Sequence, residues 1–178
     1  MRLIGVVASV CLLGASSASA ATQPLRISDR GIAGVDFGLP RAKAVSELTR
    51  LLGRPSQVMV NSGCGPRFTE VGWGHLYVEF RDGKLAGFRY METTWLPQRR
   101  PPKPTPPSLV EPKLATSNGI SLGSTLGELR AAYGRLDLVG TDRWQTPDGL
   151  TFYDGAQRDP PAASSRIIEI KYGTCGDF

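Results

Sequence analysis

The sequence ELTRLLGR at residues 47–54 recurs 81 residues later as ELRAAYGR at residues 128–135. At this offset Leu48 aligns with Leu129, and both stretches reach a glycine, Gly53 or Gly134, one residue before their end. Each copy also has a Gly-Ile pair upstream and residues with strand propensity downstream. A similarity of this length indicates one supersecondary unit used twice. We therefore predict an α+β fold made of two tandem helix-plus-antiparallel-sheet repeats.

Both repeats carry start and stop signals for a helix. Pro40 suits a first helical turn, apolar residues follow at helical spacing, and Gly53 ends the pattern. In the second repeat, Thr125 and Glu128 form a capping-box pattern ahead of a shorter apolar stripe that ends at Gly134. We expect four strands after each helix: Gln57–Asn61, Thr69–Trp73, Leu76–Phe80 and Leu85–Met91 in the first repeat, and Leu138–Gly140, Arg143–Gln145, Leu150–Tyr153 and Arg166–Tyr172 in the second.

The pair Asp82-Gly83 is a strong signal for a two-residue hairpin turn. Regular pairing from this turn places Tyr77 opposite Phe88, on an aromatic face, while Gly87 on the aliphatic face leaves room for a helix. One helix layer cannot bury both faces, so the aromatic face is a candidate binding surface. The alternative is that these rings pack the seam between the repeats or lie under the proline-rich segment. The candidate binding residues are Trp73, Tyr77, Asp82, Phe88 and Tyr90.

The first residues have the features of a secretory leader, with Arg2, an apolar run and the cleavage motif Ala18-Ser19-Ala20. Lipidation at Cys11 is the alternative, although Val10 stands where a small residue is needed. The apolar run is too short to span a bilayer, and no second run follows, so we expect no integral membrane segment after the leader is removed. The predicted boundaries are 1–20 for the signal peptide, 21–96 for the first repeat, 97–118 for a proline-rich linker and 119–178 for the second repeat, with a loose start at 21–30.

Cleavage of the leader would remove Cys11 and leave two cysteines, Cys64 and Cys175. A disulfide between them is the default expectation in an oxidising compartment. Two free thiols or an intermolecular link are the alternatives. Together with the single histidine, His75, these cysteines do not make a spaced set of metal ligands. We therefore predict no metal site and no cofactor.

The sequence argues against several hypotheses of catalysis and of nucleic-acid binding. Residues 119–123 match the pattern G-x-S-x-G, but no strong strand precedes them and His75 lies upstream, where that hydrolase order needs it downstream. The carboxylates of Glu70, Glu79 and Asp82 show no spacing that pairs them for acid–base chemistry. The net charge of +5 is modest, and no basic motif with interleaved aromatic residues indicates nucleic acid. We predict that the chain is not an enzyme.

The order of helix and sheet after a leader resembles the β-lactamase inhibitor protein family, and also the single-copy BamE-like lipoproteins of outer-membrane assembly. The resemblance covers about residues 31–178 and rests on Phe37-Gly38, Leu122-Gly123-Ser124-Thr125, Leu52-Gly53-Arg54-Pro55 and Tyr133-Gly134. In the inhibitor family, two sheets form a concave aromatic surface and a hairpin-tip aspartate enters the target's active site. The resemblance therefore implies such a role for Asp82. This chain departs from that family in its proline-rich linker and in lacking a disulfide within each copy.

These observations lead to a functional expectation. We expect a secreted, periplasmic or cell-envelope protein that acts as a non-catalytic binding or scaffolding module. Its partner would be another protein or an envelope polymer, and not nucleic acid. The alternative is a proteinaceous inhibitor of a secreted hydrolase such as a β-lactamase.

Overall fold

The computed structural model describes residues 24–61, 68–92, 113–155 and 162–173. Within these ranges the chain forms twelve strands and two short helices. The elements of the first half are β1 Leu25–Ser28, β2 Gly31–Ile32, β3 Val35–Asp36, α1 Arg41–Leu52, β4 Gln57–Asn61, β5 Phe68–Trp73, β6 Leu76–Arg81 and β7 Lys84–Met91. Those of the second half are β8 Leu114–Thr116, α2 Leu126–Tyr133, β9 Asp137–Leu138, β10 Arg143–Gln145, β11 Thr151–Tyr153 and β12 Glu169–Tyr172.

Eight of the described strands form one antiparallel sheet in the order β4-β5-β6-β7-β12-β11-β10-β9. Each half of the chain contributes four consecutive strands, and the two sets meet where β7 pairs with β12. At this seam Tyr90 lies opposite Ile170, and Phe88 lies opposite Tyr172. A smaller sheet, in the order β3-β2-β1-β8, contains a parallel pair formed by β1 and β8.

The predicted fold class is wrong. The described chain is mostly β, and its halves do not form two helix-plus-sheet units, because the β7–β12 pairing merges their strands into one sheet. The expected loose start at 21–30 contains β1, and the predicted linker at 97–118 contains β8. The strands β1 and β8 pair with each other although most of the first half of the chain separates them in sequence. Strands of three or four residues carry little periodicity of their own, so a partner distant in sequence decides whether they form.

Both helices lie where the sequence predicts them. The α1 helix follows Pro40 and ends at Gly53, whose N–H donates to the Thr49 carbonyl oxygen at 2.9 Å. The predicted capping box of α2 is confirmed. The Glu128 N–H donates to the Thr125 hydroxyl at 3.2 Å, and the Thr125 N–H donates to the Glu128 carboxylate at 2.7 Å. This second hydrogen bond favours the ionised carboxylate and lowers the pKa of Glu128.

The hairpin turn at Asp82-Gly83 is also confirmed, since both residues have positive φ angles, of 49° and 72°. The predicted register beyond the turn is wrong. A β-bulge shifts the pairing between Glu79 and Phe80, so that Phe88 lies opposite Val78 and no longer opposite Tyr77. A slip of one residue moves all later side chains to the other face of the sheet. The bulge therefore places Phe88 on the face that β6 uses for the core.

The hydrophobic core lies between this sheet face and the two helices. The α1 helix contributes Ala44 and Leu48, and the α2 helix contributes Leu126 and Leu129. The core residues of the central strands are fully or almost fully buried and come from both halves of the chain: Val71, Leu76, Val78, Phe80, Leu85, Phe88, Phe152 and Ile170. The two halves thus share one core.

Gly87 lies at the seam between the halves. The expectation that it leaves room for a helix is wrong, because the end of β12 occupies that space. A β-carbon at Gly87 would overlap the Tyr172 carbonyl oxygen and lie 2.8 Å from the carbonyl carbon of Gly173. A β-carbon at Gly173 would lie 2.6 Å from the Ala86 carbonyl oxygen. The close backbone approach of β7 and β12 therefore requires glycine on both sides.

We expect Gly87→Ala to destabilise the protein by about 2 kcal/mol or more, because the added methyl group meets backbone atoms that cannot rotate away. Urea denaturation followed by far-UV circular dichroism measures this loss. A free energy of unfolding equal to that of the wild type would contradict the close approach at the seam.

Candidate functional site

The structure buries four of the five candidate binding residues. The exposed fraction is 2% for Trp73, 4% for Tyr77, 0% for Phe88 and 7% for Tyr90, whereas Asp82 is exposed. The expected exposed aromatic face is therefore not formed by these residues. The bulge is the physical reason for Phe88 and Tyr90, which it turns onto the core face. Phe88 and Tyr90 lie on β7, where the strands of the two halves pair, as the alternative of packing between the repeats expects.

These buried rings join the two halves and the helices. The Phe88 ring stacks on Phe37 with 6.4 Å between centroids, and Phe37 stacks on Tyr172 with 5.0 Å. The indole Nε1 of Trp73 donates to the Gly53 carbonyl oxygen at 2.9 Å, at the end of α1. Trp73, Phe88 and Tyr90 belong to the hydrophobic core and contribute to stability, whereas Tyr77 is buried on the opposite face of the sheet.

We expect Phe88→Ala to cost about 3–5 kcal/mol of stability, since it removes a fully buried ring from a shared core. Chemical denaturation measures the loss, and the exposed Val139→Ala serves as the control that should change stability little. A Phe88→Ala variant of wild-type stability would return this ring to the list of candidate surface residues.

The opposite face of the sheet is largely polar. A row of paired residues crosses five neighbouring strands in the order β6, β7, β12, β11 and β10. Its residues are Tyr77, Arg89, Lys171, Thr151 and Gln145. We call these five residues the polar row. Two of its members, Lys171 and Thr151, are buried polar residues. Such burial requires partners, because an isolated charge is costly to remove from water.

Two carboxylates lie beside the polar row. Glu70 on β5 and Glu79 on β6 are direct cross-strand neighbours, and each is only 3% exposed. The side chains of such opposed residues have β-carbons about 4.5–5.5 Å apart. The sequence spacing did not reveal that Glu70 and Glu79 are neighbours. The two-residue connection Gly74-His75 contained the signal, because it sets the register of β5 and β6 and hence this pairing.

The cations of the polar row have partners within the structure. The Nη2 atom of Arg89 lies 2.8 Å from Oε1 of Glu70, and the guanidinium carbon lies 5.7 Å from the centroid of the Tyr77 ring. The Nζ atom of Lys171 lies 4.9 Å from the centroid of the Tyr153 ring. The Arg89–Glu70 pair reaches over β6 and ties β7 to β5. This network therefore braces the sheet from the face opposite the helices.

The groups weighed for catalysis also have internal contacts. His75 Nδ1 lies 2.8 Å from the Met91 carbonyl oxygen, and the Ser121 hydroxyl donates to the Leu114 carbonyl oxygen at 2.5 Å. In the part of the chain that the structure describes, no cluster of three His, Cys, Asp or Glu residues is placed to hold a metal ion. Glu70 and Glu79 are almost fully buried. These contacts favour a structural role for the charged face.

We expect Glu70→Gln to destabilise the protein by about 2–3 kcal/mol, because it leaves the partly buried Arg89 guanidinium without its carboxylate. Thermal and urea denaturation measure the effect, with Glu47→Gln as the control. Glu47 pairs with Arg50 at 3.2 Å on the surface of α1, where an ion pair contributes little. Equal, small losses in both variants would contradict a bracing role for the Arg89–Glu70 pair.

The remaining candidate, Asp82, lies at a hairpin tip that is held by backbone contacts. The Arg41 N–H donates to the Gly83 carbonyl oxygen, and the Leu85 N–H donates to the Leu39 carbonyl oxygen, both at 2.8 Å. The chain entering α1 therefore runs alongside the start of β7 and supports the turn. The result is an exposed carboxylate on a backbone that is already ordered.

Among the described residues, exposed large apolar side chains lie at the two outer edges of the eight-stranded sheet. Val58 on β4 is 57% exposed, and Leu138 and Val139, at the β9 edge, are 50% and 40% exposed. Sequence reasoning did not single out these edges, because the order of strands in a sheet is set by tertiary contacts.

Two predictions lie outside the described residues. These are the signal peptide and the disulfide between Cys64 and Cys175, and both stay predictions. Neither described helix is long and apolar enough to cross a membrane.

Comparison with known proteins gives no assignment: no family model, no curated protein and no solved structure matches the chain.

Proposed function

We propose that the chain is a non-catalytic binding or scaffolding module, secreted or held in the periplasm or cell envelope, whose partner is another protein or an envelope polymer. The observation that carries this proposal is the braced hairpin tip. Asp82 is exposed there, and hydrogen bonds from Arg41 and Leu85 hold the turn and its neighbouring chain in place.

A braced tip favours recognition for an energetic reason. A binding surface that is ordered before it meets its partner loses less conformational entropy on association. The positive φ angle of Asp82 sets the direction in which its carboxylate leaves the turn. The tip thus offers a fixed negative charge to a basic or hydrogen-bond-donating site on a partner.

The charged face of the sheet supports a binding function over an enzymatic one. Acid–base catalysis requires groups within hydrogen-bond reach of a bound substrate. Glu70 and Glu79 are almost fully buried, and Arg89 is engaged with Glu70 at 2.8 Å. Groups in this arrangement stabilise the fold and are not presented to a substrate.

The second candidate function is inhibition of a secreted hydrolase such as a β-lactamase. The same hairpin tip favours it, because the inhibitor family that the sequence resembles inserts a hairpin-tip aspartate into its target's active site. On this hypothesis Asp82 would enter the enzyme, and the chain running from Leu39 into α1 would support the loop from behind.

We expect Asp82→Asn to weaken partner binding about tenfold or more, which corresponds to about 1.4 kcal/mol. Asparagine tolerates positive φ, so this change removes the charge and keeps the turn. Immobilised protein is challenged with envelope and culture-supernatant fractions, and purified secreted hydrolases, β-lactamases included, are titrated in activity assays.

Asp137→Asn, an exposed change at the far edge of the sheet, is the matched control and should bind as the wild type does. Inhibition of a hydrolase identifies the second function, while capture without inhibition supports the first. Equal binding by the wild type and Asp82→Asn would remove the tip from the proposed site.

A further inference from the structure

Among the described strands, β4 is the outermost strand of the larger sheet on its side. It is five residues long, and among the described strands it pairs only with β5. An edge strand presents N–H and C=O groups at alternate residues that can pair with another strand. Val58, near the start of β4, is 57% exposed.

The sequence of β4 lacks the features that usually protect an edge. Gln57–Asn61 reads QVMVN and contains no charged residue, no proline and no glycine. The opposite edge of the same sheet differs, because β9 is two residues long, includes Asp137, and is next to Arg135, which lies 4.0 Å from the Asp137 carboxylate. Short length and charge discourage pairing at β9, and neither is present at β4.

The β4 sequence is also self-complementary. An antiparallel pairing centred on Met59 brings Val58 into register with Val60 of a second copy, and Gln57 into register with Asn61 of that copy. Each position thus meets a residue of the same chemical type, apolar with apolar and amide with amide. A two-fold interface requires this self-complementarity, because one surface patch must fit itself.

We propose that β4 pairs with β4 of a second copy of this chain, forming a two-fold dimer in which the two large sheets become continuous. The edge that no other described strand covers, the exposed Val58, the uncharged strand and its near-palindromic order all point to this occupant. The inference does not depend on the proposed function, since Asp82 lies in a different hairpin.

Sedimentation equilibrium on the purified mature chain tests the proposal with two matched variants. The wild type is expected to be a dimer, and Val58→Lys is expected to raise the dissociation constant at least about tenfold. The two introduced lysines would be diagonal neighbours about 7–8 Å apart in the dimer and would repel each other. Leu138→Lys, at the other edge, should dimerise as the wild type does.

A cross-linking variant provides a second measurement that does not depend on Val58→Lys folding. The Met59 residues of the two copies would face each other across the proposed two-fold axis. Opposed Cα atoms in such a pair are about 4.5–5.5 Å apart, within the range that a disulfide spans. Met59→Cys should therefore form a covalent dimer on mild oxidation. The wild type, which carries the same native cysteines, should not do so under the same conditions.

Three results would overturn the proposal. The first is a wild-type protein that stays monomeric up to about 1 mM, where specific association is very weak. The second is a dimer that Val58→Lys leaves intact. The third is a Met59→Cys variant that yields no more covalent dimer than the wild type, as expected if the edge receives a strand from a different protein.

Discussion

The antiparallel pairing of β7 with β12 is the contact on which the rest of the structure depends. It joins four strands from each half of the chain into one sheet, and it requires the backbones to approach closely at Gly87 and Gly173. Without it, β7 and β12 would be open edges of two smaller sheets, each with its own incomplete core. With it, the core is shared, and residues from both helices pack in a single cluster.

The β-bulge between Glu79 and Phe80 decides what each face of that sheet can do. By shifting the register one residue, it gathers Phe88 and Tyr90 with the aliphatic residues of β6 under the helices. The opposite face is left with the polar row and the two carboxylates beside it. The bulge thus separates an apolar face, stabilised by burial, from a charged face, stabilised by ion pairs and cation–ring contacts.

Because both faces of the sheet are largely occupied by internal contacts, we expect binding at the hairpin tip and at the outer strands. Trp73, Phe88 and Tyr90 lie in the core, while on the polar face Glu70 pairs with Arg89 and Lys171 contacts the Tyr153 ring. Among the described residues, the exposed features include the hairpin tip at Asp82 and the outer strands of the sheet, with Val58 and Leu138. Both kinds of site place backbone that is already ordered at the surface, which lowers the entropic cost of association.

Local signals in the sequence determined the helices, the strands that follow them and the turn at Asp82. Pro40, Gly53 and the Thr125 cap act over a few residues, so they are legible without tertiary contacts. The exposed position of Asp82 follows from the same local turn signal. Tertiary structure alone decided the parallel β1–β8 pair, the β7–β12 seam and the bulge that turned Phe88 inward. The physical reason is that strand pairing and register depend on hydrogen bonds and packing between residues far apart in the chain, for which no single segment carries the information.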